Sequence, residues 1–317
     1  MRAAVVREYG APDVVRVVDV DTPVPGPKEV LVRVHATAVT AADSRIRGAR
    51  FPRGFAPFAR LAFGLRRPRR TVLGNTFSGV VEAVGDGDKV AGFAVGDEVA
   101  GTTGLRMGTH AEYAVVPASR VVAKPAGVSH DDAAGVLFGG ATALFFLRDK
   151  ATVRPGTTVL VIGASGAIGT SAVQLAKHFG GVVTGVTSGA NAELVRSLGA
   201  DHVVDYTTTD IASLPERYDV VLDTVGTLSP ASGRRLLPDG GVLLLAVADL
   251  GEILRARGDV RAGTSPERVE DARELLDLVA SGALRVVLDR VVPLDEVVAA
   301  HERVDSGRKV GNLVLHP

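Results

Sequence analysis

Residues Thr158–Gly169 read TVLVIGASGAIG, and this stretch decides the fold. Thr158 and four apolar residues, Val159, Leu160, Val161 and Ile162, run into Gly163. The spacing Gly163-x-x-Gly166-x-x-Gly169 then gives way to a helical pattern at Ile168, Ser171, Ala172, Leu175, Ala176 and Phe179. A buried parallel strand, a glycine turn and a helix N-terminus together make a pyrophosphate site, because first-turn amides have no intrahelical partner and point at the anion. Gly163 permits the tight turn, Gly166 lets phosphates approach the backbone, and Gly169 packs the helix on the strand. Glycine spacing alone is a weak signal; the strand–turn–helix setting makes it a strong one. The expected loop contacts are Gly163, Ala164, Ser165, Gly166, Ala167 and Ile168.

The pattern continues downstream. Val182–Thr187 reads as a second buried strand, Ala192–Leu198 as a short helix closed by Gly199, and His202–Asp205 as a third strand. Asp219–Val225 is a fourth strand, Pro230–Leu237 a helix, Gly241–Ala248 a fifth strand, and a further strand is expected at Val260. Apolar strands alternating with helices predict an α/β fold with a doubly wound parallel sheet covered on both faces. Ligands bind at the carboxyl ends of such strands. That rule lines up Gly163–Gly166, Thr187 and Ser188, Thr224 with Val225 and Gly226, and Ala246 with Val247 along one crevice.

The flanks differ in texture. Short strands are expected around Val5 and at Val14–Val20, Val30–Val34, Val72–Val84, Asp97–Ala100 and Tyr113–Val116. Gly and Pro clusters at Pro23–Pro27, Gly85–Gly87 and Gly101–Gly108 separate them. This reads as a β-rich, barrel-like unit. After the middle region come two helices. Ser265-Pro266 is expected to cap the first, with its apolar stripe at Val269, Ala272, Leu275, Leu276 and Val279; the second runs from Leu294 to Gly307. A last strand, Gly311–Leu315, needs a host sheet, and the N-terminal unit is the expected one. The predicted division is therefore 125–264 for the dinucleotide-binding unit and 1–124 with 265–317 for a discontinuous β-rich unit.

Composition narrows the chemistry. With 46% apolar and 23% charged residues the 317-residue chain has the profile of a soluble globular protein and room for two cores. Net charge is zero, so no global field draws it to nucleic acid or membrane. The absence of cysteine excludes disulfides, thiolate nucleophiles and Cys-based zinc sites. The N-terminal MRAAVVREYG lacks a signal-peptide core, and a cytoplasmic location is expected.

On these residues the chain resembles the medium-chain dehydrogenase/reductase superfamily, in its zinc-free quinone oxidoreductase branch. The marks are Leu73–Gly85 (LGNTFSGVVEAVG), Phe93–Val99 (FAVGDEV), Gly140–Ala143 (GATA), the glycine turn, Ser197–Tyr206 (SLGADHVVDY) and Ser306–Asn312 (SGRKVGN). The resemblance implies a Rossmann domain plus a GroES-like barrel domain and a homodimer joined at the Rossmann sheet edges. Zinc-dependent relatives place a cysteine and a His-Glu pair where this chain has Thr40, Asn75 and Thr76, and neutral Thr and Asn cannot replace thiolate and imidazole as ligands. No metal is therefore expected. The resemblance places Thr40 and Thr142 beside the nicotinamide, Asp43 near the cleft mouth as either a proton-relay member or a loop brace, Asn75 in the active-site stretch, and Asn312 in the cofactor set.

The second-strand loop, Thr187-Ser188-Gly189-Ala190-Asn191, carries no carboxylate to hold a ribose 2′-hydroxyl or to repel a 2′-phosphate. NADPH rather than NADH is expected, with Ser188, Asn191 and, by resemblance, Tyr206 at the phosphate. With neither a zinc-ligand set nor a Ser-Tyr-Lys set, the chain suits acceptors that spread developing charge, such as quinones and enones. An NADPH-dependent reductase of a small-molecule electrophile is the leading reading; a biosynthetic enoyl reductase and a non-enzymatic NADPH-binding protein are the alternatives. One segment stands apart. Residues 45–70 hold nine arginines and no acid, among Phe51, Phe55, Phe58 and Phe63, and Pro57 can start a helix with Phe58, Leu61, Ala62 and Leu65 on one face. A solvated flap over the substrate cleft, a grip on acidic substrates, a membrane-surface contact and RNA binding are the readings of Arg45–Arg70.

Overall fold

The computed structural model describes residues 1–85, 90 and 92–317. Of the expected break at Gly85–Gly87, Gly87 lies outside the described residues. The N-terminal region comprises β1 (Arg2–Val6), β2 (Val15–Asp19), β3 (Glu29–Ala38), α1 (Ala41–Arg47), α2 (Ala56–Phe63), β4 (Thr76–Val84), β5 (Glu98–Thr102), β6 (Tyr113–Pro117) and β7 (Val121–Ala123). The middle region comprises α3 (His130–Leu144), β8 (Thr158–Ile162), α4 (Ala167–His178), β9 (Val182–Thr187), α5 (Ala192–Ser197), β10 (His202–Asp205), β11 (Val220–Asp223), α6 (Pro230–Arg234), β12 (Val242–Leu245), α7 (Leu250–Arg255) and β13 (Val260–Ala262). The chain closes with α8 (Val269–Ala280), β14 (Leu288–Pro293), α9 (Val297–Asp305) and β15 (Asn312–His316).

Among the described residues the middle strands form one parallel sheet in the order β10-β9-β8-β11-β12-β13. Alternation along each strand buries both faces. Val159, Val161, Leu222 and Leu244 join α3, α4 and α8 in one core, while Leu160, Ile162, Val221 and Leu243 pack on the other side with Leu228 and Leu236. Chain order reverses between β8 and β11, so the crevice between their carboxyl ends is the topological switch point where such sheets bind ligands. The fourth and fifth strands end earlier than their hydrophobicity suggests. Thr224–Gly226 and Ala246–Val247 leave the ladder and become lips of that crevice.

The barrel-like sheet is built around β3, which pairs antiparallel with β4, β6 and β15. The closing strand thus joins the N-terminal unit, and β14 lies parallel beside it. Neither β14 nor α1 is foreseen from the sequence. Helix α3 is also unforeseen, since Gly135, Gly139 and Gly140 lower its intrinsic propensity. Packing explains them: a Cβ at Gly139 would collide with the Ala167 carbonyl, so α3 crosses the start of α4 at glycine distance. The expected cap of α8 is corrected. The helix starts at Val269, while the Ser265 hydroxyl donates to the Ala141 carbonyl and Glu267 takes a left-handed φ of +50°. Among the described residues no helix is long and apolar enough to cross a membrane.

Candidate functional site

The glycine turn connects β8 to α4 in the geometry its spacing predicts. Gly163 has φ +79°, and a Cβ at Gly169 would run into the Gly163 carbonyl oxygen. A Cβ at Gly166 would meet only that same oxygen, at 3.4 Å, so the backbone there is open. No side chain caps α4 at Gly166. The first-turn amides of Ala167 and Ile168 are left for an anion, and the helix dipole favours one. This uncapped, open N-terminus at the switch point fits a dinucleotide pyrophosphate.

Polar groups from neighbouring strands close over the turn. The Thr187 hydroxyl donates to Ser165 Oγ at 2.9 Å, and Asn191 Nδ2 reaches Ser165 Oγ at 3.3 Å and Ser188 Oγ at 3.4 Å. Tyr206 is 57% exposed, with its backbone amide on the Thr187 carbonyl, so its ring is free to meet a ligand. Asp205 is a carboxylate that the loop's own sequence does not reveal, because it comes from β10. Its side chain lies against Gly189, and its Oδ1 accepts from the amide and hydroxyl of Thr207 at 2.9 and 2.7 Å; these bonds from Thr207, with one from Gly189, hold its carboxyl below the usual range. Across the crevice, buried Asp223 accepts from the amides of Val225, Gly226, Thr227 and Leu228 at 2.7 to 2.9 Å and fixes that lip. Val247 packs beside Gly226. Asn312 follows Gly311, whose amide bonds the Ser165 carbonyl, but its own amide side chain donates to the Val287 carbonyl.

A second group of residues converges from the barrel side. Thr40 caps α1 in a capping box: its hydroxyl donates to Asp43 Oδ2 at 2.6 Å and accepts from the Asp43 amide. Asp43 is fully buried, and its carboxylate also accepts from the amides of Thr40 and Gly74 at 2.8 and 2.9 Å. Of the two roles expected for Asp43, bracing is the one its bonds describe: it ties the Thr40 stretch to the Asn75 stretch. Thr142 on α3 donates to the Phe138 carbonyl at 2.9 Å. Both threonines have thus committed their one hydrogen, and what remains free on each is acceptor capacity. Asn75 is buried; its Nδ2 donates to Glu267 Oε1 at 3.2 Å, and its Oδ1 has no partner.

Glu267 was not foreseen. It lies 192 residues from Asn75 in a loop that sequence reading assigned to a helix cap. Burial pushes its carboxyl above the usual range, against the pull of Arg120 and of hydrogen bonds from Thr102, Arg120 and Asn75. Its backbone is strained for a non-glycine residue. The Ser265 bond to Ala141 sets this loop against the helix that carries Thr142. Its one sequence signal was an acid directly after Ser265-Pro266.

The pocket does not fit a zinc ion. Thr40, Asn75 and Thr76 supply no thiolate or imidazole, the Asp43 carboxylate is already engaged by two backbone amides and the Thr40 hydroxyl, and among the described residues no three His, Asp or Glu side chains converge as a metal needs.

Comparison with known proteins agrees with this architecture. Residues 26–126 match the family described as "Alcohol dehydrogenase GroES-like domain", and residues 198–315 match "Zinc-binding dehydrogenase". The chain is 31% identical to a quinone oxidoreductase of Pseudomonas aeruginosa, over 98% of this chain and 97% of that protein. It is 30% identical to the chloroplastic NADPH-dependent alkenal/one oxidoreductase of Arabidopsis thaliana, over 100% of this chain and 80% of that one. The solved quinone oxidoreductase of Coxiella burnetii superposes with a TM-score of 0.90 at 27% identity, covering 100% of this chain and 99% of the other.

Proposed function

The chain belongs to the medium-chain dehydrogenase/reductase superfamily, in its quinone oxidoreductase-like branch, and from that premise we propose that it is an NADPH-dependent, zinc-independent reductase of quinones or enones. The pocket's side chains support this reading: they offer threonine acceptors, a buried amide and a carboxyl group, and among the described residues no zinc-ligand set. A plain ketone needs a Lewis acid for its alkoxide, whereas a quinone or enone delocalises the charge.

In this reading the cofactor supplies the hydride. Gly163–Ile168 would hold its pyrophosphate, Ser188, Asn191 and Tyr206 its 2′-phosphate, and the oxygens of Thr40 and Thr142 would accept from its carboxamide. Asn75 Oδ1, buried without a partner, takes a donor from the same ligand. Hydride addition to the acceptor leaves an enolate or phenolate. The Glu267 O–H gives its proton to that anion, and the resulting carboxylate is reprotonated from solvent. Glu267 suits the step because the threonine hydrogens are committed elsewhere and burial raises the affinity of its carboxyl for a proton. The open edge of the parallel sheet, β13, supports a dimer joined edge to edge, which light scattering at micromolar concentration tests.

The reading is tested by following NADPH and NADH oxidation with a quinone, an unsaturated ketone and its saturated counterpart. Turnover with the first two, none with the third, and no loss on chelation support it. Turnover of the saturated ketone, or activity abolished by a chelator, contradicts it.

A further inference from the structure

The arginine-rich segment between Asp43 and Asn75 has two sides. Its inner side is packed: Phe51 and Phe63 stack at 6.0 Å and join the barrel core with Ile46 and Leu73, and buried Arg47 pairs with Asp305 at 2.6 Å, as does Arg50 at 2.7 Å. On its outer side the contacts among the described residues are few: Arg60 donates to the Leu65 carbonyl at 2.8 Å and lies over the Tyr9 ring. On α2, Phe58 and Leu61 are 64% and 63% exposed, and Leu65, just past the helix end at Gly64, is 62% exposed. Around them Arg53, Arg60, Arg66, Arg67, Arg69 and Arg70 are all exposed, and among the described residues none forms an ion pair. The segment also touches α7. The Leu250 amide donates to the Arg53 carbonyl at 2.9 Å, Gly54 lies against the Leu250 side chain, and α7 presents exposed Leu254.

We infer that this outer face docks the protein, through Phe58, Leu61 and Leu65 ringed by arginine, onto an anionic lipid bilayer. An apolar ridge with an arginine-rich rim is the chemistry of a helix that lies in the interface plane. The charge is complementary to anionic headgroups, with no acid in residues 45–70 to repel them. A second copy of the chain is disfavoured, since it would set arginine against arginine. Single-stranded nucleic acid is disfavoured because only Phe58 can stack a base; leucines enter hydrocarbon but make no stacking platform. Docking would turn the cleft mouth toward the phase where apolar quinones and enones partition, a consequence that rests on the reductase reading, whereas the docking itself does not.

The chain contains no tryptophan, so Phe58→Trp installs a unique reporter. Its emission, and cosedimentation of the wild type, are measured with phosphatidylcholine vesicles with and without phosphatidylglycerol, at low and high salt. The expected result is a blue shift and cosedimentation only with anionic vesicles at low salt. Binding should weaken at least about tenfold both in Phe58→Ser/Leu61→Ser and when the four arginines 66, 67, 69 and 70 become glutamine. Both variants should keep the wild-type melting temperature and turnover of a water-soluble acceptor. No binding at low salt overturns the inference. Cosedimentation that survives Phe58→Ser/Leu61→Ser, with no blue shift in Phe58→Trp and equal binding of single-stranded DNA, overturns it in favour of a polyanion site.

Discussion

The cradle at Gly163–Gly169 and the group of residues around Asn75 are made of different material. The cradle is backbone: a strand, a turn and an uncapped helix start, all within twelve consecutive residues. The pocket is side chains gathered from four separate places, Thr40, Asn75, Thr142 and Glu267, held by bonds such as Asp43 to Gly74 and Ser265 to Ala141. A site built of backbone depends on excluding side chains; a site built of side chains depends on the braces behind them.

The sharpest break of this contrast is Gly169→Val. No side chain fits between α4 and the Gly163 carbonyl, so the variant should fail to give folded protein, read by soluble yield and circular dichroism. A folded variant with normal NADPH affinity would show that the cradle is not enforced by backbone contact. Next comes Asp43→Asn, which leaves one of the bonds to Thr40 or Gly74 without an acceptor. It should cost about 1–3 kcal/mol of stability and lower turnover, while NADPH affinity stays near wild type, as chemical denaturation and a fluorescence titration would show. Equal loss of cofactor affinity would mean the two regions are not separable.

Acid should also act on the barrel side. His301 is buried on α9 with neither ring nitrogen partnered, and burial, with His110 and Arg47 nearby, pushes its pKa down to about 3. The unfolded chain binds that proton near the ordinary value of about 6.5. Stability is therefore full above about pH 6.5 and falls as pH drops toward 3, because the unfolded state takes up the proton first. His301→Leu should flatten the fall in melting temperature between about pH 7 and about pH 5; an unchanged slope would assign the acid sensitivity elsewhere. The smallest effect belongs to the 2′-phosphate end. Asn191→Ala or Tyr206→Phe should lower the preference for NADPH over NADH by about two- to fivefold, roughly one hydrogen bond's worth, in a two-cofactor titration. No change would remove these side chains from the phosphate site.

The same contrast explains what could be read from the sequence. The strand–glycine–helix run, the second and third strands and the closing strand's partner are local patterns of period and spacing, and they were legible. Helix α3 was not, because its glycines obey contact with α4 rather than helix propensity. Asp205 and Glu267 were not, because each enters its site from another element, 16 residues from Gly189 and 192 from Asn75, where no local rule reaches. Asp43 was legible as a position with bracing as one of two roles, but the bond that favours bracing, from the Gly74 amide, spans the arginine-rich insertion and no local pattern marks it.

The central claim is that a proton from this protein's own side chain, in place of a metal, neutralises the anion left when the acceptor takes up the cofactor's hydride. The pH dependence of kcat for NADPH-driven enone reduction, in wild type and Glu267→Gln, tests it most directly. The account predicts that wild-type kcat falls as pH rises through the elevated pKa of Glu267, and that the variant is slower with that limb gone and NADPH affinity unchanged. The same falling limb in Glu267→Gln would contradict it.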